Sequence, residues 1–426
     1  MSAPAAPAMP AAPAAPETPF SQPYATRAEA SDAFASHVNR GKVNLFRALF
    51  AGQGGELIMG QREGARFADA YSGRWLWNCH CNGGTFNLGH RPPAVVAALR
   101  DALDHLDIGN HHLVSGLRAH LAARLAATTD GRLPGVVFGV GGGEANDLAI
   151  KVARARTGKQ RIISASGGYH GHTGLALAAG DPAYRRPFGA NPPGFTQVPW
   201  NDLGALAREL GAGDSAAVLL ETIPATLGMA LPDPGYLAAA ADLAHQRGAL
   251  LILDEVQTGL GRTGTFWGYQ HEGVTPDMVT TGKGLSGGMY PLTATLMTAD
   301  LHGFFDEHPF IHISTFGGAE LGCVAAEAML DVTLAPGFLA RVTALGERFR
   351  RGLAGLPVKL RQRGLFMGLD LGTPGAAPPA TRKLLEHGIF ALWANHDTAV
   401  VQLLPALTIT DAEADAIIAA LCEALS

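Results

Sequence analysis

The sequence predicts an α/β protein: a mostly parallel central sheet with helices on both faces, joined to a smaller α+β unit. Three observations predict it. From about residue 85 to 300, short continuous apolar runs alternate with longer stretches of helical spacing, the pattern of strands covered on both faces. Glycines or ionisable residues follow several of these runs, and open α/β sheets bind ligands beyond the carboxyl ends of their strands. After about residue 311 the chain turns to helices separated by short strand-like runs.

The elements follow in order. Residues 1–23 are Ala/Pro-rich and lack side chains able to bury a face, so a disordered tail is expected. The tail has neither the pattern of a secretory signal nor the arginines of a mitochondrial presequence. Val136–Phe138 is the first strand, and Ala145–Arg154 after it has helical spacing. Arg161–Ser164, Ala217–Leu220, Ala249–Leu253 and Met278–Thr281 are the next four strands. Helices are expected over Leu321–Val332 and Phe338–Leu353, and strands over Phe366–Leu371 and Val400–Leu404. A final helix should run from Asp411 to Leu425, capped by Thr410.

Composition narrows the function. A chain of 426 residues, 47% hydrophobic, has material for two or three structural units. The net charge of −5 without a long basic run argues against nucleic acid or an anionic membrane as partner. No apolar run approaches the roughly 18 residues of a membrane span, so a soluble, cytoplasmic protein is expected. Cys79, Cys81, Cys323 and Cys422 form no C-x-x-C pair. Cys79-His80-Cys81 has the wrong spacing for zinc. On a strand its two thiols would share one face as small apolar groups, so no metal is expected. Lysine occurs at only six positions and arginine supplies the rest of the 32 basic residues, which makes Lys283, between two glycines, less easily read as a generic surface charge.

The strand ends carry the chemistry. The first leads into Gly139-Val140-Gly141-Gly142-Gly143-Glu144 and a helix, where backbone N–H groups and the helix terminus suit a phosphate; a plain tight turn is the alternative. The dinucleotide fingerprint fails at Glu144, and no Walker sequence surrounds Lys151 or Lys283. Tyr169-His170 beside glycines could stack on a flat heterocycle or simply pack. Glu221 ends the third strand. Asp254 ends the fourth, where burial demands a cationic partner, either a ring nitrogen or a structural arginine. Lys283 follows the fifth. Together these are the requirements of pyridoxal phosphate: a phosphate cradle, a stacking ring, a carboxylate for the pyridine nitrogen and an amine for a Schiff base. The amine needs a desolvated or cationic setting to bring its pKa below the usual value of about 10.4.

Residues 250–292, LLILDEVQTGLGRTGTFWGYQHEGVTPDMVTTGKGLSGGMYPL, resemble the signature of class III pyridoxal-phosphate aminotransferases, the ornithine and ω-amino acid group. The likeness extends from about residue 86 to 410. It implies the fold-type I architecture: residues 24–84 as the N-terminal part of a small domain, 85–310 as the large cofactor domain, 311–426 as the C-terminal small domain, and a homodimer with shared active sites. It implies Lys283 as the Schiff-base lysine, Asp254 as partner of the pyridine nitrogen, Gln257 at the phenolic oxygen and Tyr169 stacked on the ring beside His170. Gly142 and Gly143 match the phosphate loop, although the family's Ser-Gly-Thr is here three glycines. Thr315 matches the threonine that reaches the neighbouring subunit's phosphate. Glu221 matches the glutamate of a Glu-Pro pair, with Thr222 in place of proline.

Two departures concern the substrate. Gln402 stands where 2-oxoglutarate-using members carry a carboxylate-binding arginine, and Thr226 stands where the ornithine branch places the glutamate that gates it. Losing both avoids leaving one charge unpaired. The resemblance thus implies an aminotransferase with a ping-pong mechanism, acting on an amine or ω-amino acid donor and a carbonyl acceptor, with 2-oxoglutarate not preferred or held by another arginine. Gln257 disfavours the aminomutase relatives, which usually have methionine there. An amino acid racemase or epimerase uses the same lysine and is the alternative; a catalytically silent binding homologue and a nucleotide-binding protein fit less of the pattern.

Overall fold

In the computed structural model, residues 22–51 and 55–426 are described; most of the expected N-terminal tail lies outside them. The central sheet has seven strands, β1 (Gly135–Gly139), β2 (Arg161–Ala165), β3 (Phe195–Val198), β4 (Ser215–Glu221), β5 (Leu250–Asp254), β6 (Met278–Thr281) and β7 (Thr293–Met297). Their order is β1-β7-β6-β5-β4-β2-β3. β3, β2, β4, β5 and β6 are parallel to their neighbours in that row. β7 is antiparallel to both β1 and β6.

All five expected strands are present, and β3 and β7 are additions. The sequence hides them for different reasons. β3 is a short edge strand with polar Thr196 and Gln197. β7 carries Thr293 and Thr295, whose hydroxyls interrupt the apolar run yet are buried, bonded to the carbonyls of Gly141 and Ala145.

The sheet is covered on both sides. Helix α1 (Gly142–Thr157) supplies Leu148, Ala149 and Val152 to one apolar cluster, with Ile162, Leu219 and Ile252 from the strands. It ends at Gly158, whose φ of 67° lets its N–H return to the Arg154 carbonyl. Arg154 and Arg156 in its last turn face the negative end of its dipole. The opposite cluster joins Leu121, Leu206, Leu237 and Leu285 to Val218, Leu220, Leu251 and Leu253. This alternation along β4 and β5 is why both strands read as unbroken apolar runs.

A second body is built from both ends of the chain. Trp77, Cys79 and Ala65 share a core with Phe349, Met367, Val401, Ile417 and Leu421. Ile389–Phe390 pairs in parallel with Trp75–Asn78. The last helix, Asp411–Leu425, starts at Thr410 with the expected cap, completed by Glu413. Helix Glu320–Thr333 contributes Cys323, Ala326, Met329 and Leu330 to the core of the central sheet. We therefore propose that the boundary expected near residue 310 falls after this helix.

The strand expectation for Cys79-His80-Cys81 is corrected. The strand ends at Asn78, and Cys81 begins a turn with φ of 48°. Asn78 caps that turn by accepting from the Cys81 N–H, which a continued strand would forbid. Both thiols are buried, and burial raises their pKa, that of Cys81 to about 12.

Candidate active site

Strand register sets the first part of the site. Glu221 at the end of β4 lies opposite Asp254 at the end of β5, and Asp254 lies opposite Thr280 on β6. Three residues after Thr280 the chain reaches Lys283. A cleft of about 460 Å³ opens at these strand ends. It is lined by Gly141–Gly143, Tyr169, His170, Glu221, Asp254, Gln257 and Lys283, with Met289–Thr293 forming another wall. Every expected cofactor residue except Thr315 is there. Thr315 sits on an exposed loop outside the cleft.

Asp254 is buried and well supported. Its Oδ2 accepts from Asn146 Nδ2 at 2.7 Å and from His170 Nδ1 at 2.9 Å. Its Oδ1 accepts from the Val256 N–H at 3.1 Å. Asn146 is held in turn by donation to the His170 carbonyl and by acceptance from Thr280 Oγ1, each at 2.8 Å. Burial works against a charged His170, but the hydrogen bond and charge of Asp254 outweigh it and raise its pKa. His170 Nε2 is buried without a hydrogen-bond partner among the described residues, an orphan of the kind that marks a functional site.

Lys283 adopts a left-handed backbone, φ 46°, which costs about 1–3 kcal/mol for a non-glycine residue and persists only where the surroundings enforce it. Its Nζ donates to Gln257 Oε1 at 3.2 Å. Burial lowers its pKa, against the attraction of Asp254 and Glu221. The same burial, with the nearby Lys283 charge, pushes His80 down to about 4, so that imidazole is neutral at pH 7. Glu221 accepts from the Tyr169 N–H at 2.9 Å, and burial raises its pKa to about 7.

The glycine loop is a tight assembly. A β-carbon on Gly143 would lie 2.4 Å from Thr173 Oγ1, and one on Gly142 would lie 3.2 Å from Val256. Larger residues at either position would force a shift, whereas glycines leave the N–H groups at the start of α1 open to an anion. An anion cradle, a buried carboxylate and a desolvated amine around one cleft are the donor set that pyridoxal phosphate requires, so the residues present fit that group.

The comparisons agree. Residues 39–425 match the family model described as aminotransferase class-III. The chain belongs to the class III aminotransferases. A protein of Archaeoglobus fulgidus described as an uncharacterized aminotransferase is 49% identical over 395 residues, 91% of this chain and 92% of that protein. A thermostable (S)-enantioselective ω-transaminase from Thermomicrobium roseum superposes with a TM-score of 0.83 at 29% identity, over 94% of this chain and 98% of that one. The ornithine aminotransferase of Toxoplasma gondii, with pyridoxal phosphate at partial occupancy, gives 0.81 at 28% identity with the same coverages. This class III enzyme is therefore a fold-type I, pyridoxal-phosphate-dependent aminotransferase, moving an amino group between an amine donor and a carbonyl acceptor in a ping-pong cycle. The racemase alternative gains no support from these relatives.

Sequence reasoning missed Asn146, Thr280 and His80. Asn146 had a usable signal: it falls among Ala145, Leu148 and Ala149 on a helix face that must be buried, where a polar residue needs a partner. Thr280 looked like an ordinary strand residue, and only the register places it beside Asp254.

Proposed function

We propose that this aminotransferase anchors its cofactor through Lys283 and prefers amine or ω-amino acid donors with a carbonyl acceptor other than 2-oxoglutarate. The observation that carries the anchor is that Lys283, Asp254 and the glycine loop line a single cleft. The bound cofactor supplies the ring that accepts an electron pair from the donor's carbon. Asp254, fixed by Asn146 and His170, is the negative group that keeps the ring nitrogen protonated. Lys283, whose pKa burial lowers, takes the proton from the donor carbon and returns it during the exchange. The N–H groups of Gly142 and Gly143 would hold its phosphate, Tyr169 would flank the ring and Gln257 would serve its phenolic oxygen, while Glu221 fixes the Tyr169 backbone.

The acceptor reading rests on the walls of the cleft. Among the described residues, none that lines it is arginine. Gln402 and Thr226, at the two gate positions, are buried and turned to backbone carbonyls: Thr226 Oγ1 donates to Gly167 at 2.8 Å and Gln402 Nε2 to Ala225 at 3.4 Å. Neither offers the paired donors that a carboxylate selects.

Thr315 acts, in this reading, in the neighbouring subunit of a homodimer. Leu113, Val114, Phe310, Ile311 and Phe316 are exposed apolar side chains, and the tilted ring contact of His112 with Phe310, centroids 5.8 Å apart, brings the segments of the first two and the last three together. A patch of this kind suits an interface. A cytoplasmic setting is compatible with the four free cysteines.

The test is a donor and acceptor screen on wild type and Lys283→Ala. The wild type should show the visible absorbance of bound cofactor and use pyruvate or glyoxylate faster than 2-oxoglutarate. Lys283→Ala should lose the characteristic band and at least ~10³-fold in kcat. A strong preference for 2-oxoglutarate that vanishes on substitution of Gln402 would refute the acceptor reading.

A further inference from the structure

Arg262 is a cation that the cleft chemistry leaves unused. Its side chain is wholly inaccessible. Among the described residues it pairs with no carboxylate; its Nε and Nη2 donate to Asn87 Oδ1 at 3.1 and 2.7 Å, and its Nη1 donates to the carbonyls of Pro405 at 2.6 Å and Leu365 at 3.3 Å. Burial alone draws its pKa down to about 10. A guanidinium buried without a counter-ion is a poor way to stabilise a core, where an apolar side chain of similar volume does as well or better.

What Arg262 holds is Asn87, and Asn87 is wedged between Gly284 of the Lys283 loop and Gly84. A β-carbon on Gly284 would lie 2.8 Å from Asn87 Nδ2, and one on Gly84 would lie 3.4 Å from Asn87 Oδ1. Gly284 follows the left-handed Lys283. Gly84 closes a turn in which Cys81, Asn82, Gly83 and Gly84 all have positive φ, at 48°, 51°, 66° and 92°. This turn carries Gly83 against the lysine, since a β-carbon there would lie 3.5 Å from both Cε and Nζ of Lys283. Two strained backbones, one on each side of Asn87, need something rigid between them.

We propose that Arg262 and Asn87 are a positioning pair, which clamps the Cys81–Gly84 turn against the Lys283 loop and so fixes the amine within the cleft. The inference rests on Lys283 as the covalent anchor. Arg262 acts only through Asn87. Because its remaining contacts are the carbonyls beside the strands Phe366–Asp370 and Val400–Leu403, the clamp also couples the setting of the amine to the second body.

The experiment uses the holoenzyme and the variants Asn87→Ala, Arg262→Lys and Asn87→Asp, the last keeping an acceptor for Arg262. Asn87→Ala and Arg262→Lys should each lower kcat on the order of tenfold or more while KM for the amine moves by less than about twofold. Both should shift the pH midpoint of the cofactor's visible absorbance, and Asn87→Asp should recover most of the lost kcat. Borohydride reduction followed by peptide mass spectrometry reads the anchor independently of turnover, and the tagged fraction at Lys283 should fall in Asn87→Ala. Tagging at Lys283 with an unmoved midpoint and unchanged kcat in a folded Asn87→Ala overturns the clamp alone. A loss in Arg262→Lys confined to melting temperature does the same. Wild-type protein tagged anywhere other than Lys283 overturns the anchor, and the clamp with it.

Discussion

Asp254 and Glu255 are adjacent carboxylates at one strand end, and they face two different regions. Glu255 turns into the protein. Its Oε1 accepts from Thr222 Oγ1 at 2.5 Å and the Tyr269 N–H at 2.8 Å, and its Oε2 from Thr258 Oγ1 at 2.8 Å and the Gly268 N–H at 2.9 Å. Burial raises its pKa against those bonds. Every strong acceptor site is taken, so it staples the loop after β5 to the segment near Gly268. Asp254 turns into the cleft, where its supporting imidazole has an unpartnered nitrogen and a desolvated amine shares the space. A buried carboxylate is thus no sign of chemistry by itself. The distinction lies in whether its surroundings are closed or left incomplete.

Three substitutions would break or sharpen this contrast. Asp254→Asn keeps the shape but removes the charge, and kcat should fall on the order of 10³-fold with little change in melting temperature; a variant with near-normal turnover would erase the difference between the two regions. Glu255→Ala should do the reverse. It orphans four donors and should lower unfolding free energy by roughly 3 kcal/mol, while kcat per folded molecule stays within about threefold. Denaturant unfolding beside steady-state kinetics separates the two effects, and a selective loss of turnover would show that Glu255 belongs to the site.

Glu221 stands between these extremes. Its folded pKa, near 7, lies above the value of about 4.3 in an unfolded chain. The folded state therefore holds the proton more tightly. Its contribution is full below about pH 4 and is lost as pH rises to about 7, on the order of 4 kcal/mol in all. Glu221→Gln should remove that part of the pH dependence in cofactor-free protein, measured by denaturant unfolding between about pH 4 and 8. An identical wild-type and variant profile would mean that Glu221 is solvated, like an ordinary surface carboxylate.

Much of this was legible before the structure. β4 and β5 announce themselves because parallel strands buried on both faces must be apolar throughout, and the ionisable residue that ends each run then stands out. Lys283 was visible through its flanking glycines and its distance from Asp254. The partners of Asp254 were not, since Asn146 and Thr280 come from separate elements and meet only through helix packing and strand register. The Cys81–Gly84 turn was only half legible: Asn-Gly-Gly suits positive φ, but cysteine rarely adopts it, so nothing announces that the run begins at Cys81. The expectation for Thr315 rested on resemblance alone, and in the single chain it lies on an exposed loop outside the cleft.

The pairing of Trp77 with Ile389 has a consequence for biosynthesis. The ribosome releases the first partner some three hundred residues before the second, a delay of roughly 15–60 s at ~5–20 residues per second. Through that interval an aromatic-rich strand must wait without its neighbour, exposed to chaperones and to aggregation.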